Sequence, residues 1–570
     1  MADRLSILRP TVIVLFLLLL TVSVFHDVLS AGFVRWDDGL HVYENPYLHP
    51  ASAAHLAALW SGPYRHLYVP VSYTLYWLLA QAAHLAVPAQ TADGNLVDLN
   101  PGVFHAANLL LHMANALLVF ALLRRLLAAR MPACSPCVTD WAAGAGALLF
   151  AVHPVQVESV AWISEMRGLL AGTFSLLTLL FYVRSGEGHR GKLWYSAALL
   201  TFVLALLAKP SAITVPLIAG VIGCLVLGRP LKAVLTSLAP WGLLCVGLLW
   251  ITHAAQPVAT AIVTPLWTRP VIAGDALAFA LGKLVWPVRL GIDYGRSPVW
   301  LMTQSWAYFT GLVPLTLGVL AWFGRSRFPV LTAAFGIFAA ALLPTLGLTP
   351  FVFQVYSTVA DRYQYLALLG PALALAWGLQ AVWVRGEGRE RLRLAAGSLC
   401  GVVLLLCALS SSLQTLCWQG SAALFTQALT VNPRSWGAAN NLGAVRLDQG
   451  HPSEALDPLA IALRERPEYA EAHANLGVAL INLRQTPRAE AEFRAATTLD
   501  PTLGSGWNGL GAALMAEGRS GEAAAAFRQA LTVSPGSREA QTNLRLALAA
   551  PMPSPVPPPR RAHFPPHLRQ

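Results

Sequence analysis

The sequence predicts an all-α protein: a polytopic bundle of about 11 membrane-spanning helices followed by an α-solenoid of helical repeats. Three observations carry this prediction. Of 570 residues, 56% are hydrophobic and only 12% charged, and the mean hydropathy of +0.54 is too apolar for a water-soluble globule. Basic residues gather in alternate loops between apolar runs, and a 34-residue period takes over towards the C-terminal end.

The first apolar run, Thr11 to Phe25, follows Arg4 and Arg9. It lacks a clear small-residue cleavage site, so it reads as a retained helix and not as a signal peptide. Further runs lie near 104–123, 140–152, 168–183, 193–208, 211–228, 233–253, 302–323, 328–347, 365–383 and 394–413. Basic clusters such as Arg124, Arg125 and Arg130, or Arg385, Arg389, Arg391 and Arg393, occupy every second loop. Positive-inside sorting then places the N-terminus in the cytoplasm. Residues 275–290 fit that count as a re-entrant or interfacial hairpin, and 64–86 as a helix lying along the outer surface. The formal charge of +11 belongs to these topology clusters, so no nucleic-acid partner is expected. The seven cysteines are too scattered for a disulfide framework, and the lone Cys134-x-x-Cys137 has no second pair to complete a metal site.

The same sorting puts five polar stretches on the outer face: the loop 31–103 with FVRWDDGLHVYENP at 33–46, HPVQVESVAWISEMR at 153–167, the Lys209-Pro210 corner, the 291–300 loop, and VADRYQYL at 359–366. Isolated charges at span ends are functional candidates, because exposing them to lipid is costly. Asp37 and Asp38 are adjacent, so on extended backbone they point oppositely and only one faces a cavity. A carboxylate partly desolvated at the interface has a raised pKa and can act as general base towards a hydroxyl. The alternative is that the pair only bonds its own turn, with Trp36 as an interfacial anchor. Glu158 and Glu165, seven residues apart, share a helix face. With His153, Arg167, Lys209 and Arg362 they suit a lipid-phosphate substrate, since cations hold phosphate and carboxylates move protons.

Beyond Ser411 the composition changes. Asn432-Pro433, Arg466-Pro467, Asp500-Pro501 and Ser534-Pro535 recur at 34 residues, as do Leu442-Gly443, Leu476-Gly477 and Leu510-Gly511, and Phe425, Leu459, Phe493 and Phe527. This helix-turn-helix period resembles the tetratricopeptide repeat, whose stacks offer a concave face to a partner. The expected division is a membrane domain 1–413, a repeat domain 414–548 with a half repeat and three full repeats, and a disordered Pro/Arg-rich tail 549–570.

WDDGLHVYENP, YRHLYVPVSYTLYW, FHAANLLLHMANALL, LFAVHPVQVESVAWISEMRGLLAG, LLAKPSAITVPL and ADRYQYL, followed by these repeats, together resemble the transmembrane and tetratricopeptide-repeat O-mannosyltransferases and their bacterial relatives. The resemblance runs from residue 31 to about 545. It implies a GT-C-type glycosyltransferase that moves a sugar from a polyprenyl-phosphate carrier to an acceptor hydroxyl, protein or glycan, on the outer or luminal side. Carried over residue by residue, the catalytic acids fall on Asp37 and Asp38 and the HP-x-x-x-E motif on His153, Pro154 and Glu158, which makes Glu158 a third catalytic candidate. Beside this, the residues themselves offer His153, Glu165, Arg167, Lys209, Arg362 and Arg65 as substrate contacts. Where relatives often have His-Thr before that Glu and Gly-Arg-Ala-Asp after it, this chain has Gln156-Val157 and Ser164-Glu165-Met166-Arg167. Some related transferases use a divalent metal as cofactor, but this sequence holds no ligand cluster that requires one. A bacterial inner membrane with the repeats in the periplasm is the expected setting. The rival readings are a non-catalytic repeat scaffold and, last, a lipid transporter, which would place ionisable groups near the midplane.

Overall fold

The computed structural model describes residues 2–90, 96–255, 264–386 and 388–549. The proline-rich tail from Pro551, expected to be disordered, lies outside them. The chain divides into two compact units, Met1–Ser435 and Trp436–Gln570.

The first unit is a helical membrane bundle. Seven helices are long and apolar enough to cross a membrane: Pro10–Ser30, Pro101–Arg130, Ile163–Arg184, Gly191–Ala208, Leu231–Ile251, Ala307–Gly324 and Glu390–Trp418. The remaining four apolar runs are also helical but shorter, at Pro136–Val152, Pro210–Val226, Pro329–Thr345 and Leu369–Arg385. Small residues let some of them pack closely: a Cβ on Gly146 would strike the Ala372 carbonyl and Leu123, so Pro136–Val152 lies against Leu369–Arg385 at near-backbone distance. Around 275–290 the structure has one helix, Arg269–Val285, followed by irregular chain to Ser297, and not a two-armed helical hairpin.

The loop between the first two long helices is a small folded layer. Phe33, Val42, Leu59, Tyr73, Tyr76, Val97 and Phe104 share one buried cluster with Ile163 and Met166. The helix expected at 64–86 is Pro70–Ala83. It stops there because Val87-Pro88 follows, and the residue before a proline avoids helical backbone. An antiparallel pair, His84–Gln90 with Leu96–Leu99, is the one sheet among the described residues and departs from the all-α expectation.

The second unit consists of three helix pairs and a closing helix, Arg538–Ala549. Its two sequence columns meet in space. A Cβ on Gly443, Gly477 or Gly511 would strike Leu459, Phe493 or Phe527 respectively, so glycine is needed for the large residue of the second helix to seat in each pair. Ala455, Ala489 and Ala523 are fully buried for the same reason. The leading half repeat belongs to the first unit: its helix Ser421–Val431 is pinned there by hydrogen bonds from Gln419 to the Asp27 carbonyl, from Gln427 to the Leu290 carbonyl, and from Asn432 and Ser435 to Asp293. The compact boundary therefore falls at Ser435, beyond the 413 that composition suggests.

Candidate active site

Buried amides fix the segment 153–167 before any charge is considered. Asn108, on the helix Pro101–Arg130, donates to the carbonyls of Val160 (3.1 Å) and Trp162 (2.9 Å). Tyr76 donates to the Ile163 carbonyl at 3.0 Å. Two turns further along, Asn115 donates to the Leu169 carbonyl and to Tyr365, which joins the 359–366 segment to the same frame. These bonds tie the segment between Pro154 and Met166 to two neighbouring helices, Pro101–Arg130 through Asn108 and Pro70–Ala83 through Tyr76.

On this frame six of the expected residues converge. Glu158 receives both the backbone N–H (3.0 Å) and the guanidinium of Arg362. Glu165 accepts from Lys209 with both oxygens, at 2.7 and 3.0 Å, and lies 3.9 Å from Arg362 Nε. Arg167 donates to the Ser164 carbonyl at 2.9 Å and lies 3.9 Å from Asp37. The Arg362 guanidinium sits 4.2 Å over the Phe353 ring and 4.9 Å over Tyr363, and the ion pair with Glu158 holds its pKa above the usual value. A Cβ on Gly168 would collide with Glu165 and sit 3.2 Å from Lys209 Nζ, so this glycine makes room for the Glu165–Lys209 pair.

The two neighbouring aspartates are in different situations. Asp38 is fully buried and saturated: it accepts from Val34 N at 2.9 Å, Ser164 N at 3.0 Å and Ser164 Oγ at 2.6 Å. Burial pushes its carboxyl up to about 6 against these bonds. Asp37 keeps 37% of its side chain exposed beside Arg167. Desolvation raises its pKa too, opposed by Arg167 and Arg362. Trp36 beside them packs with tilted rings against Tyr356 (5.4 Å) and Phe425 (6.0 Å), while Ser421 accepts the Arg35 N–H at 2.8 Å.

Two expected residues lie apart from this group. His153 donates from Nε2 to the Leu284 carbonyl and accepts Val155 N at Nδ1, so both ring nitrogens serve the backbone of the helix break. Arg65 is exposed, in left-handed backbone at φ 48°. Its charge, with burial and Arg167, depresses His41 to about 2.

His41 was not among the sequence candidates. It is 3% exposed, bonded through Nδ1 to Tyr73 OH (2.9 Å) and through Nε2 to Arg167 (3.3 Å). Because Arg167 can only donate, Nε2 accepts and Nδ1 carries the proton. Asp361 was also missed: Tyr294 donates to its carboxylate at 2.8 Å, and burial together with Glu158 lifts it to about 8. It lies in the quoted ADRYQYL phrase, next to the arginine that drew attention there.

Lys209 and Arg362 line a narrow cleft of about 80 Å³ whose other walls include Ala171, Gly172, Ala212 and Leu366. Two cations thus stand at the head of a largely apolar slot, with the Asp37 carboxylate within electrostatic reach. Among the described residues no three His, Cys, Asp or Glu side chains converge as a metal site.

The tetratricopeptide-repeat family matches residues 442–503 and 505–537, so the C-terminal region carries such repeats. The chain is a relative of proteins named protein O-mannosyl-transferase. It is 25% identical to TMTC3 of Mus musculus over 84% of this chain and 54% of that protein. It is 27% identical to Tmtc1 of Drosophila melanogaster over 66% of this chain and 53% of that protein, and 27% identical to TMTC4 of Homo sapiens over 63% and 54%. The chain spans about half the length of the curated relatives it matches.

Proposed function

We propose that this relative of the protein O-mannosyl-transferases is a membrane glycosyltransferase that moves a hexose, mannose by the names of its relatives, from a polyprenyl-phosphate carrier to an acceptor hydroxyl. One observation supports this above the others: an exposed carboxylate, Asp37, stands beside Arg167 near the cleft headed by Lys209 and Arg362.

In this reading the lipid phosphate sits at Lys209 and Arg362 and the prenyl chain leaves along the apolar walls. Asp37 takes the proton of the acceptor hydroxyl as its oxygen attacks the anomeric carbon. The bond from that carbon to the phosphate oxygen breaks, and the developing phosphate charge is held by Lys209 and Arg362. Arg167, fixed by the Ser164 carbonyl and His41, keeps the Asp37 carboxylate oriented. Glu158 and Glu165 hold the two cations in place between turnovers. The acceptor approaches past Trp36 and Tyr356, and the repeats hold the polypeptide or glycan that bears it. Charge sorting supports a multi-pass chain with a cytoplasmic N-terminus and a periplasmic active face.

The test is turnover in membranes carrying the full chain, supplied with polyprenyl-phosphate-mannose. Wild type should release polyprenyl phosphate, and Lys209→Met should raise the KM for the donor about tenfold or more. A chain that releases none, with any hexose carrier, is not a transferase of this class.

A further inference from the structure

At the far ends of the helices that frame the active site there is a second cavity, which the reaction does not use. It measures about 360 Å³ and lies among Cys137, Trp141, Leu379, Trp383, Arg393 and Gly397. The helix Pro136–Val152 begins at this cavity and ends at His153, so ~25 Å of helix separates it from the charged cluster. Leu369–Arg385 runs the same way, away from the 359–366 segment. The cavity therefore sits at the opposite membrane boundary, and its two tryptophans, 54% and 47% exposed, mark the interfacial level.

The walls are apolar, but the mouth is not. Arg393 lies 5.0 Å over the Trp383 ring and donates from Nη2 to the Trp383 carbonyl at 2.6 Å. Its Nε is buried with no hydrogen-bond partner, a costly state for a charged donor. Arg385, Arg389 and Arg391 are exposed on the chain leading into it, and the stretch 385–393 holds four arginines against two glutamates. Apolar walls cannot by themselves select a ligand from a bilayer, because lipid tails are equally apolar. The arginine at the mouth, with a buried Nε left to donate, can.

We propose that this cavity binds one anionic glycerophospholipid, with an acyl chain between Trp141 and Trp383 and its phosphate accepting from Arg393, Arg389 adding charge one helical turn away. The site is independent of the sugar-transfer reading, since it uses none of those residues. Each arginine near a membrane surface favours an anionic over a zwitterionic headgroup by about fivefold.

Native mass spectrometry of the detergent-extracted full chain tests the proposal. Wild type should retain one anionic phospholipid per chain, enriched over its share of the host bilayer. Arg393→Gln should lose about fivefold of that enrichment. Gly397→Leu should expel the lipid whatever its headgroup, because a side chain there meets no protein atom within 4 Å and fills the cavity instead. Lipid retained in bilayer proportions, retention of a polyprenyl phosphate instead, or unchanged retention in Gly397→Leu would each overturn it. A Tm unchanged from wild type in both variants shows that the bundle has folded.

Discussion

Asp37 and Asp38 differ by one backbone step, and that step separates a saturated carboxylate from an available one. The adjacency was visible in WDDG, but the assignment was not: the partner that immobilises Asp38 is Ser164, 126 residues away, and no local pattern signals it. Asp38→Asn would turn an amide N–H towards donors that now meet oxygen, leaving buried groups unpaired, so the variant should be less stable than wild type. The pH dependence has a definite sign. The folded pKa of about 6 lies above the ordinary aspartate value of 3.8, so Asp38 contributes most below pH 4 and loses that contribution as pH rises through 6. At ~1.4 kcal/mol per unit, the wild-type advantage over Asp38→Asn should shrink by roughly 3 kcal/mol between pH 4 and 7, which thermal unfolding of both proteins measures. For activity, Asp37 must be ionised, so the acidic limb of kcat/KM should lie above the ordinary carboxylate range. His41, depressed to about 2, should add no limb near 6.5. Glu158→Gln removes the nearer of the two carboxylates beside the buried Arg362, leaving Glu165 at 3.9 Å, and should cost up to about 3 kcal/mol, the lower end for breaking a buried pair, read as a lower Tm. His41 and Asp361 were not legible because a neutral imidazole between Tyr73 and Arg167, or an acid capped by Tyr294, is defined wholly by tertiary contacts.

At the scale of elements, every apolar run became a helix, because hydropathy and length carry that information locally. The strand pair at 84–99 did not announce itself: its first strand directly follows an apolar helix and is mostly exposed. The membership of Ser421–Val431 was hidden as well. Its 34-residue register assigns it to the repeats, while Gln419, Gln427, Asn432 and Ser435 fasten it to the membrane unit. That attachment touches the reacting loop, since Ser421 accepts the Arg35 N–H and Phe425 backs Trp36. Ser421→Ala should therefore lower kcat several-fold with little change in the donor KM, as steady-state kinetics with the lipid-linked sugar would show. A change confined to KM would mean that the helix acts on donor binding and not on the Asp37 loop.

For the whole molecule, the first unit holds a fixed charged cluster beside a narrow cleft, and the repeats form a separate compact unit, proposed above to hold the acceptor. The proposed topology, with a cytoplasmic N-terminus and an odd number of crossings, predicts that a reporter fused after Leu548 reads as non-cytoplasmic, and a cytoplasmic signal would contradict it. The most direct measurement is release of polyprenyl phosphate from polyprenyl-phosphate-mannose by the full chain in membranes, wild type against Asp37→Asn. The account predicts loss of at least a hundredfold in kcat, the lower end for removing a general base, with the Tm unchanged. Equal turnover in Asp37→Asn would contradict it.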